Sequence, residues 1–385
     1  MRRTTVAVGT LFVLLLAGCS SSPDESGQET PTSAPPSTRK PSATPSTTPS
    51  TPGPPTDSGT AVPAWAKVMR QPVDGQHLVT QQSKYVVTRG SDEAGITTVL
   101  NRTSKKVVVR HAPAAGFVAQ SPVVIDDRWA LIEDIRSDGP DPQIKIFRYD
   151  LSTGRATGLG ALPPVSEPEI GAYDGTFAYS STDAKNRSCL VLADLGTLKS
   201  RTVACVAAPG YIADPVVSAD TVTFSEITAP ETARRCKRIL TATLSGGQPR
   251  AVPAATNCLQ WSGASLRGAT VWSEVGPTDP DQYQSKAYVR DSADSPARPL
   301  GTVVTDTILA CGNWILWETR TVTAGTESFQ INRWRPGLPK PQRIYTAPAG
   351  AALTPLTCQS NKVYVETAYL SSSPTYTETI SAAVA

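Results

Sequence analysis

Only two histidines and two methionines occur in this chain, and its basic and acidic side chains nearly cancel, 36 against 33. The shortage of histidine restricts any imidazole-based chemistry to His77 or His111. His77 is expected to open an inner strand and His111 to end an outer one, both in structural or solvated roles. There is no Gly-x-Ser-x-Gly elbow, no His-Glu-x-x-His pair and no glycine loop ending in Lys-Ser/Thr. Those absences remove the common signatures of serine hydrolases, zinc peptidases and phosphate-binding loops. Ser37-Thr38-Arg39-Lys40 fits a Ser-x-x-Lys pattern, but inside a segment too polar to build a pocket. No Cys-x-x-Cys pair exists to hold zinc. With no motif for either, no cofactor and no metal ion is expected. The near balance of charge also argues against nucleic acid or an anionic membrane surface as the main partner.

Long apolar runs are equally scarce. The clearest, Val6 to Leu16, falls short of the ~20 residues that a membrane-spanning helix needs. It follows Met1-Arg2-Arg3 and precedes Ala17-Gly18-Cys19. A charged start, a short apolar stretch and small residues at a cut describe a secretory signal peptide over residues 1–18. The residues around Arg2-Arg3 do not complete a twin-arginine motif, so general secretion is the expected route. Leu16-Ala17-Gly18-Cys19 resembles the lipobox of bacterial lipoproteins. That resemblance implies a diacylglycerol on the Cys19 thiol and a new N-terminus there; an ordinary signal peptide with a coincidental cysteine is the alternative. Two acyl chains hold stably where one is marginal. The expected address is the extracytoplasmic face of the cell membrane, lipid-anchored through Cys19.

Residues 20–61 are nearly all Ser, Thr, Pro, Gly and a few charges. Such a stretch cannot bury enough apolar surface to offset its ordering entropy. Residues 19–61 therefore read as the lipidated cysteine and a disordered tether, with a reach of at most ~130 Å at ~3.1 Å per residue.

From residue 62 to 385 the pattern changes to short alternating runs such as Lys84-Tyr85-Val86-Val87, Thr221-Val222-Thr223-Phe224 and Lys362-Val363-Tyr364-Val365. Alternation of this kind places successive side chains on opposite faces of a sheet. The last apolar residue of each run is Val87, Ile132, Tyr179, Phe224, Trp272, Trp317 and Val365, at gaps of 45, 47, 45, 48, 45 and 48. Residues that close the next strand (Asn101, Asp150, Asp194, Thr243, Arg290 and Arg335) keep the same period. A repeat of ~40–50 residues built only from strands is the mark of propeller blades. The fold expected is all-β: a seven-bladed β-propeller of four-stranded antiparallel blades. The last blade lacks a fourth strand, so residues near Val62–Met69 are expected to close the ring.

Tyr149-Asp150-Leu151-Ser152-Thr153-Gly154-Arg155 resembles the Asp-Leu-x-Thr-Gly hairpin of TolB-like and quinoprotein-like bacterial propellers, and Ala193-Asp194-Leu195-Gly196-Thr197 is a weaker copy. The resemblance implies the fold; it assigns no functional residue.

Six cysteines remain after Cys19, and an even number in an exported chain reads as disulfides. Repeat positions favour Cys189–Cys205 and Cys236–Cys258 within blades three and four, and Cys311–Cys358 between blades six and seven. A metal site is the alternative.

An acid follows the strand-b anchor in five blades: Glu133, Glu226, Glu274, Glu318 and Glu366. Repeat symmetry predicts that they surround one rim at the start of the b–c loops, a candidate binding rim. Arg89, Arg136, Arg187, Arg234, Arg235 and Arg320 fall in the same loops, so ion pairing on a solvated rim is expected, which contributes little to stability. Ser137-Asp138-Gly139-Pro140-Asp141 and Thr278-Asp279-Pro280-Asp281 read as acidic turns. The expected function is a non-catalytic binding or scaffold module of the cell envelope with an envelope protein as partner. Two alternatives stay open: a carboxylate-dependent glycosidase or lyase, and a wall-sugar or small-ligand binder. The long b–c loops, Ser225 to Lys237, Ser273 to Ser285 and Glu318 to Glu327, place function on their face.

Overall fold

Alternation becomes packing in the second strand of every blade. These strands lie between two neighbouring blades, so both of their faces are buried, as in Ala269–Glu274, where every residue is closed to solvent. The computed structural model describes residues 61–384 apart from 73–75, 83, 91–94, 121–122, 137–142, 160–161, 168, 229–235, 255–259, 276–283, 324, 354–355, 360 and 370–375. Strands and turns make up the described residues, with no helix among them. Cys19, the signal peptide, nearly all of the tether and both acidic turns lie outside the described residues.

Seven antiparallel sheets form the ring of a seven-bladed propeller. Each runs from an inner strand a to an outer strand d. Blade one is Gln76–Gln81, Tyr85–Gly90, Thr97–Asn101 and Val107–His111. Blade two has a split inner strand, Val118–Ala119 and Val124–Ile125, then Trp129–Arg136, Gln143–Asp150 and Arg155–Thr157. Blade three is Ile170–Tyr173, Thr176–Thr182, Arg187–Asp194 and Ser200–Ala207; blade four is Tyr211–Val217, Thr221–Thr228, Cys236–Thr243 and Arg250–Ala251. Blade five is Gln260–Leu266, Ala269–Glu274, Gln284–Arg290 and Arg298–Val304; blade six is Leu309–Cys311, Trp314–Thr323, Thr326–Trp334 and Gln342–Thr346. Blade seven takes Ala352–Leu353 and Thr357–Gln359 as its inner edge, then Lys362–Tyr369 and Tyr376–Ala383. Its outer strand is Trp65–Pro72 from the other end of the chain, with Trp65 opposite Ala382 and Pro72 opposite Tyr376. That closure satisfies an edge that would otherwise stay open.

The core is a set of blade-to-blade sandwiches. Ile132 packs with Val79, Val87 and Val109 of blade one, Tyr179 with Leu131 of blade two, and Trp317 with Val271 and Val289 of blade five. The anchors of blades two to seven thus face the blade before them, whereas Val87 of blade one packs towards blade two. Trp272, Trp314, Trp317 and Trp334 are completely enclosed; burying a large apolar side chain contributes about 2–3 kcal/mol. Two-residue turns with paired positive φ join strands a and b, at Asp174-Gly175 (46° and 77°) and Arg267-Gly268 (51° and 79°), which is the hairpin geometry that matches strand twist. The Asp150 hairpin forms as expected: its carboxylate accepts from the Ser152 N–H at 2.9 Å, and Gly154 turns at φ 69°. Those Ser152 bonds, with Arg128 nearby, hold the Asp150 carboxyl down at about 2.

Two disulfides are described. Cys189–Cys205 ties directly opposed residues of strands c and d in blade three, and Cys311–Cys358 ties blade six to blade seven. The expected Cys236–Cys258 pair lies outside the described residues.

Candidate functional site

The five glutamates do not form a solvated rim. Glu133, Glu274 and Glu318 are buried at 0%, 3% and 2% exposure, because strand b continues well past the apolar anchor. Nor do the five share one face. Glu133, Glu318 and Glu366 stand one residue after their anchors and so face the following blade, whereas Glu226 and Glu274 stand two after and face the preceding one. Their contacts agree. Glu366 meets His77 of blade one at 2.8 Å, Glu274 accepts from the indole N–H of Trp272 at 2.8 Å, and Glu226 takes Arg238 from the facing strand at 2.9 and 3.0 Å. Both oxygens of Glu133 and Oε1 of Glu318 are enclosed without a hydrogen bond. Burial, helped by Asp134, pushes the Glu133 carboxyl up to about 7, and burial pushes Glu318 up to about 8. Among the arginines of these loops, Arg187 pairs with Asp183 at 2.7 Å and Arg320 with Glu327, while Arg234 and Arg235 lie outside the described residues.

The histidines join blades. His77 closes the seam between blades seven and one through Glu366. His111 sits between blades one and two, its Nε2 2.7 Å from Asp134 and its Nδ1 2.8 Å from the Tyr149 hydroxyl. His111 is 4% and Asp134 0% exposed, so the bond between these two is closed to solvent.

Groups that do face a lumen lie at the start of the inner strands. Glu169 precedes strand a of blade three, Asp214 and Trp261 lie in strand a of blades four and five, and Asp306 precedes strand a of blade six. Their spacing, 45, 47 and 45, is the blade period. Asp214 Oδ2 is 2.5 Å from Lys237 Nζ, the Asp214 N–H donates to Glu169 Oε2 at 2.7 Å, and Lys237 Nζ sits 4.4 Å from the centre of the Trp261 ring. Local backbone irregularity aims these groups. The register slips between Ala213 and Val216 and again between Gln260 and Gly263, bulges of the sort that redirect side chains. Asp214 and Asp306 adopt positive φ, 49° and 63°, which aspartate tolerates better than most residues.

Charge is not evenly held here. The Glu169 carboxyl keeps an edge open to water, yet protein atoms crowd round it, and the charge of Asp214 and a hydrogen bond between the two carboxyls add to that crowding. All three raise it well above the ordinary carboxylate range. Crowding by protein atoms raises the Asp306 carboxyl as well, although its side chain keeps an edge open to water. The Glu169 carboxyl thus holds its proton more tightly than a free carboxyl, beside an Asp214 that pairs with Lys237.

Beyond this mouth the channel narrows to an apolar waist of about 270 Å³, lined by Val79, Val123, Ile170, Val217, Leu309 and Leu356. Gly171 makes the narrowing possible: a Cβ there would stand 2.0 Å from the Pro215 carbonyl oxygen. The far end is crossed. The Tyr173 hydroxyl donates to Asn361 Oδ1 at 2.8 Å and Gln359 Nε2 to the Ile125 carbonyl at 3.2 Å, joining blade three to seven and seven to two. All inner strands run the same way, so the carboxylates stand on the face of the b–c loops and these crossing bonds on the opposite face. The acids that the sequence singles out follow strand b; the signal for the mouth is the 45, 47, 45 spacing of Glu169, Asp214, Trp261 and Asp306 at or just before strand a.

Fold and site together define a seven-bladed β-propeller with a channel crossed at one end and acidic at the other. No family model matches the sequence, and no curated protein matches it. Among solved structures it is similar to a prolyl endopeptidase, at TM-score 0.53 and 13% identity over 76% of this chain and 45% of that one. BamB from Moraxella catarrhalis is similar at TM-score 0.42 and 14% identity, over 82% of this chain and 97% of that one. TolB from Agrobacterium tumefaciens is similar at TM-score 0.37 and 12% identity, over 63% and 82%. The chain spans less than half the length of that endopeptidase and of an acylaminoacyl peptidase that it also resembles. At these identities the likeness is one of fold.

Proposed function

We propose that the chain is a lipid-anchored, non-catalytic binding propeller of the cell envelope. In this reading it receives a ligand, or the protruding group of an envelope partner, at the acidic mouth of its channel. The observation behind the reading is the convergence of Glu169, Asp214, Asp306, Lys237 and Trp261 on one end of a channel whose other end is crossed by the Tyr173–Asn361 bond. A few polar groups around an apolar recess are the usual composition of a recognition site. The Glu169 carboxyl, raised well above the ordinary range beside Asp214, favours the enzymatic alternative more than anything else among the described residues, since a carboxyl tuned in this way is what acid–base catalysis uses.

Two measurements test this reading. Fractionation of producing cells is expected to find the chain in the membrane and the Cys19→Ser variant released; retention of that variant would remove the lipid anchor from the reading. A photo-crosslinking residue at Asp306 is expected to capture a ligand or partner, and one at Asp127 on the opposite face to capture none; the reverse pattern would reject the mouth. Turnover of a glycan by the full chain, lost in Glu169→Gln, would replace binding with catalysis.

A further inference from the structure

The channel is specific enough in shape and charge to name a ligand class, an inference that rests on the binding reading above. We propose that it takes an amphiphilic ammonium ion, with the apolar body in the waist and the cationic head among Glu169, Asp214 and Asp306.

Size and lining set the body of the ligand. An apolar cavity of roughly 150 Å³ is enough to hold benzene, so the 270 Å³ here admits a chain of about six carbons with room for its head at the mouth. Apart from Thr80, Thr357, Gln359, Gly171 and the disulfide-bonded Cys358, the walls offer aliphatic side chains. A sugar buried there would leave hydroxyls unpaired, each bearing the desolvation cost of an unsatisfied polar group. The Tyr173–Asn361 and Gln359–Ile125 bonds cross the far end, so a ligand enters and leaves by the acidic side.

Charge sets the head. Among the described residues three carboxyl groups face one ammonium, Lys237, which is already committed to Asp214 at 2.5 Å and covered by the Trp261 ring at 4.4 Å. Glu169 and Asp306, raised by the protein crowded round them, release their protons to a cation that arrives beside them. An anionic head would meet Glu169 and Asp306, while Lys237, the cation beside them among the described residues, is already paired with Asp214. A bare divalent ion fits no better. Among the described residues the one group of three candidate ligand atoms that comes within metal-binding range is Asp183 with Cys189 and Cys205, and there both sulfurs belong to a disulfide. The three mouth carboxyls do not close round one small ion together, and an alkylammonium head needs no such closure, since it can hydrogen-bond one or two of them directly.

The test is calorimetric titration of the full-length Cys19→Ser chain with n-hexylammonium, ethylammonium, n-hexanoate and calcium. Hexylammonium is expected to bind at least tenfold more tightly than ethylammonium, with no detectable binding of hexanoate. Asp306→Asn and Glu169→Gln are each expected to weaken hexylammonium at least fivefold, and Ala172→Leu, which fills the waist, to abolish its advantage over ethylammonium. If the Ala172 variant fails to fold, the two mouth variants still report on the head. Hexanoate binding as tight as hexylammonium, hexylammonium binding unmoved by both mouth variants, or tighter binding of calcium would each overturn the proposal. Should hexylammonium fail while crosslinking from Asp306 persists, the ligand class is wrong and the binding site stands; loss of both removes the site as well.

Discussion

Tyr173 of blade three and Asn361 of blade seven, which are not neighbours in the ring, are joined by a 2.8 Å hydrogen bond across the end of the channel. Asn361 makes it from a left-handed backbone, φ 57°. Tyr173→Phe removes the bond and is expected to cost about 1 kcal/mol. Asn361→Ala removes the same bond and adds roughly 1 kcal/mol of backbone strain that Asn361→Gly avoids. Urea midpoints should therefore be higher for Tyr173→Phe and Asn361→Gly than for Asn361→Ala. Equal midpoints for the two substitutions at Asn361 would show that the turn relaxes.

Gly171 carries a sterner requirement. Because its Cβ would meet backbone oxygen at 2.0 Å and cannot push it aside cheaply, Gly171→Ala is expected to destabilise by about 3 kcal/mol. Gly268→Ala meets nothing within 4 Å and bears only the conformational penalty at φ 79°, about 1 kcal/mol. Thermal melts of the pair separate crowding from conformation; a Gly171 variant no worse than the Gly268 variant would contradict the close approach of blades three and four.

The enclosed carboxyls of Glu133 and Glu318 give the fold a pH dependence of definite sign. Both values are raised, to about 7 and about 8, above the ~4.3 of an unfolded chain. The neutral form is the one the fold accommodates, so their contribution is fully present below ~pH 4.3 and is lost as the pH rises through 7 and 8. The full difference corresponds to roughly 4 kcal/mol at Glu133 and roughly 5 kcal/mol at Glu318, at most. Denaturation midpoints are expected to fall between pH 5.5 and 8.5, and to fall less in Glu133→Gln and Glu318→Gln. A wild-type midpoint that rises over this range would refute the assignment.

The two described disulfides span unequal loops, 16 and 47 residues. Loop-closure entropy predicts roughly 3 kcal/mol from the first and roughly 4 from the second. The double serine variant at Cys311 and Cys358 is expected to lose more stability than that at Cys189 and Cys205, and to loosen blades six and seven together. Hydrogen exchange resolves this: protection should drop on both Leu309–Cys311 and Thr357–Gln359, and a loss confined to one blade would argue against the bridge as a tie between them.

What the sequence made legible was whatever depends on the period. Seven anchors at one spacing locate strand b in every blade, and the same phase places Cys189 opposite Cys205 and Trp65–Pro72 beside the last strand. What stayed hidden depends on single residues. Glu133 and Glu226 differ by one position relative to their anchors, and in a strand that is the difference between one face and the other. Asp214 and Trp261 owe their direction to bulges, which leave no trace in an apolar–polar pattern. Lys237 reaches Asp214 from strand c, and no spacing rule predicts that pairing.

The closing strand also sets an order in time. Trp65 pairs with Ala382 and Pro72 with Tyr376, so one of the first strands to leave the ribosome must wait for one of the last before it can pair. Blades one to six hold all their own strands and can assemble as the chain lengthens. Blade seven cannot: it needs both ends of the domain in one place, the slowest kind of contact to form. Synthesis halted before residue 376 would leave six finished blades and an unsealed ring, with Trp65–Pro72 a free edge open to whatever strand it met first.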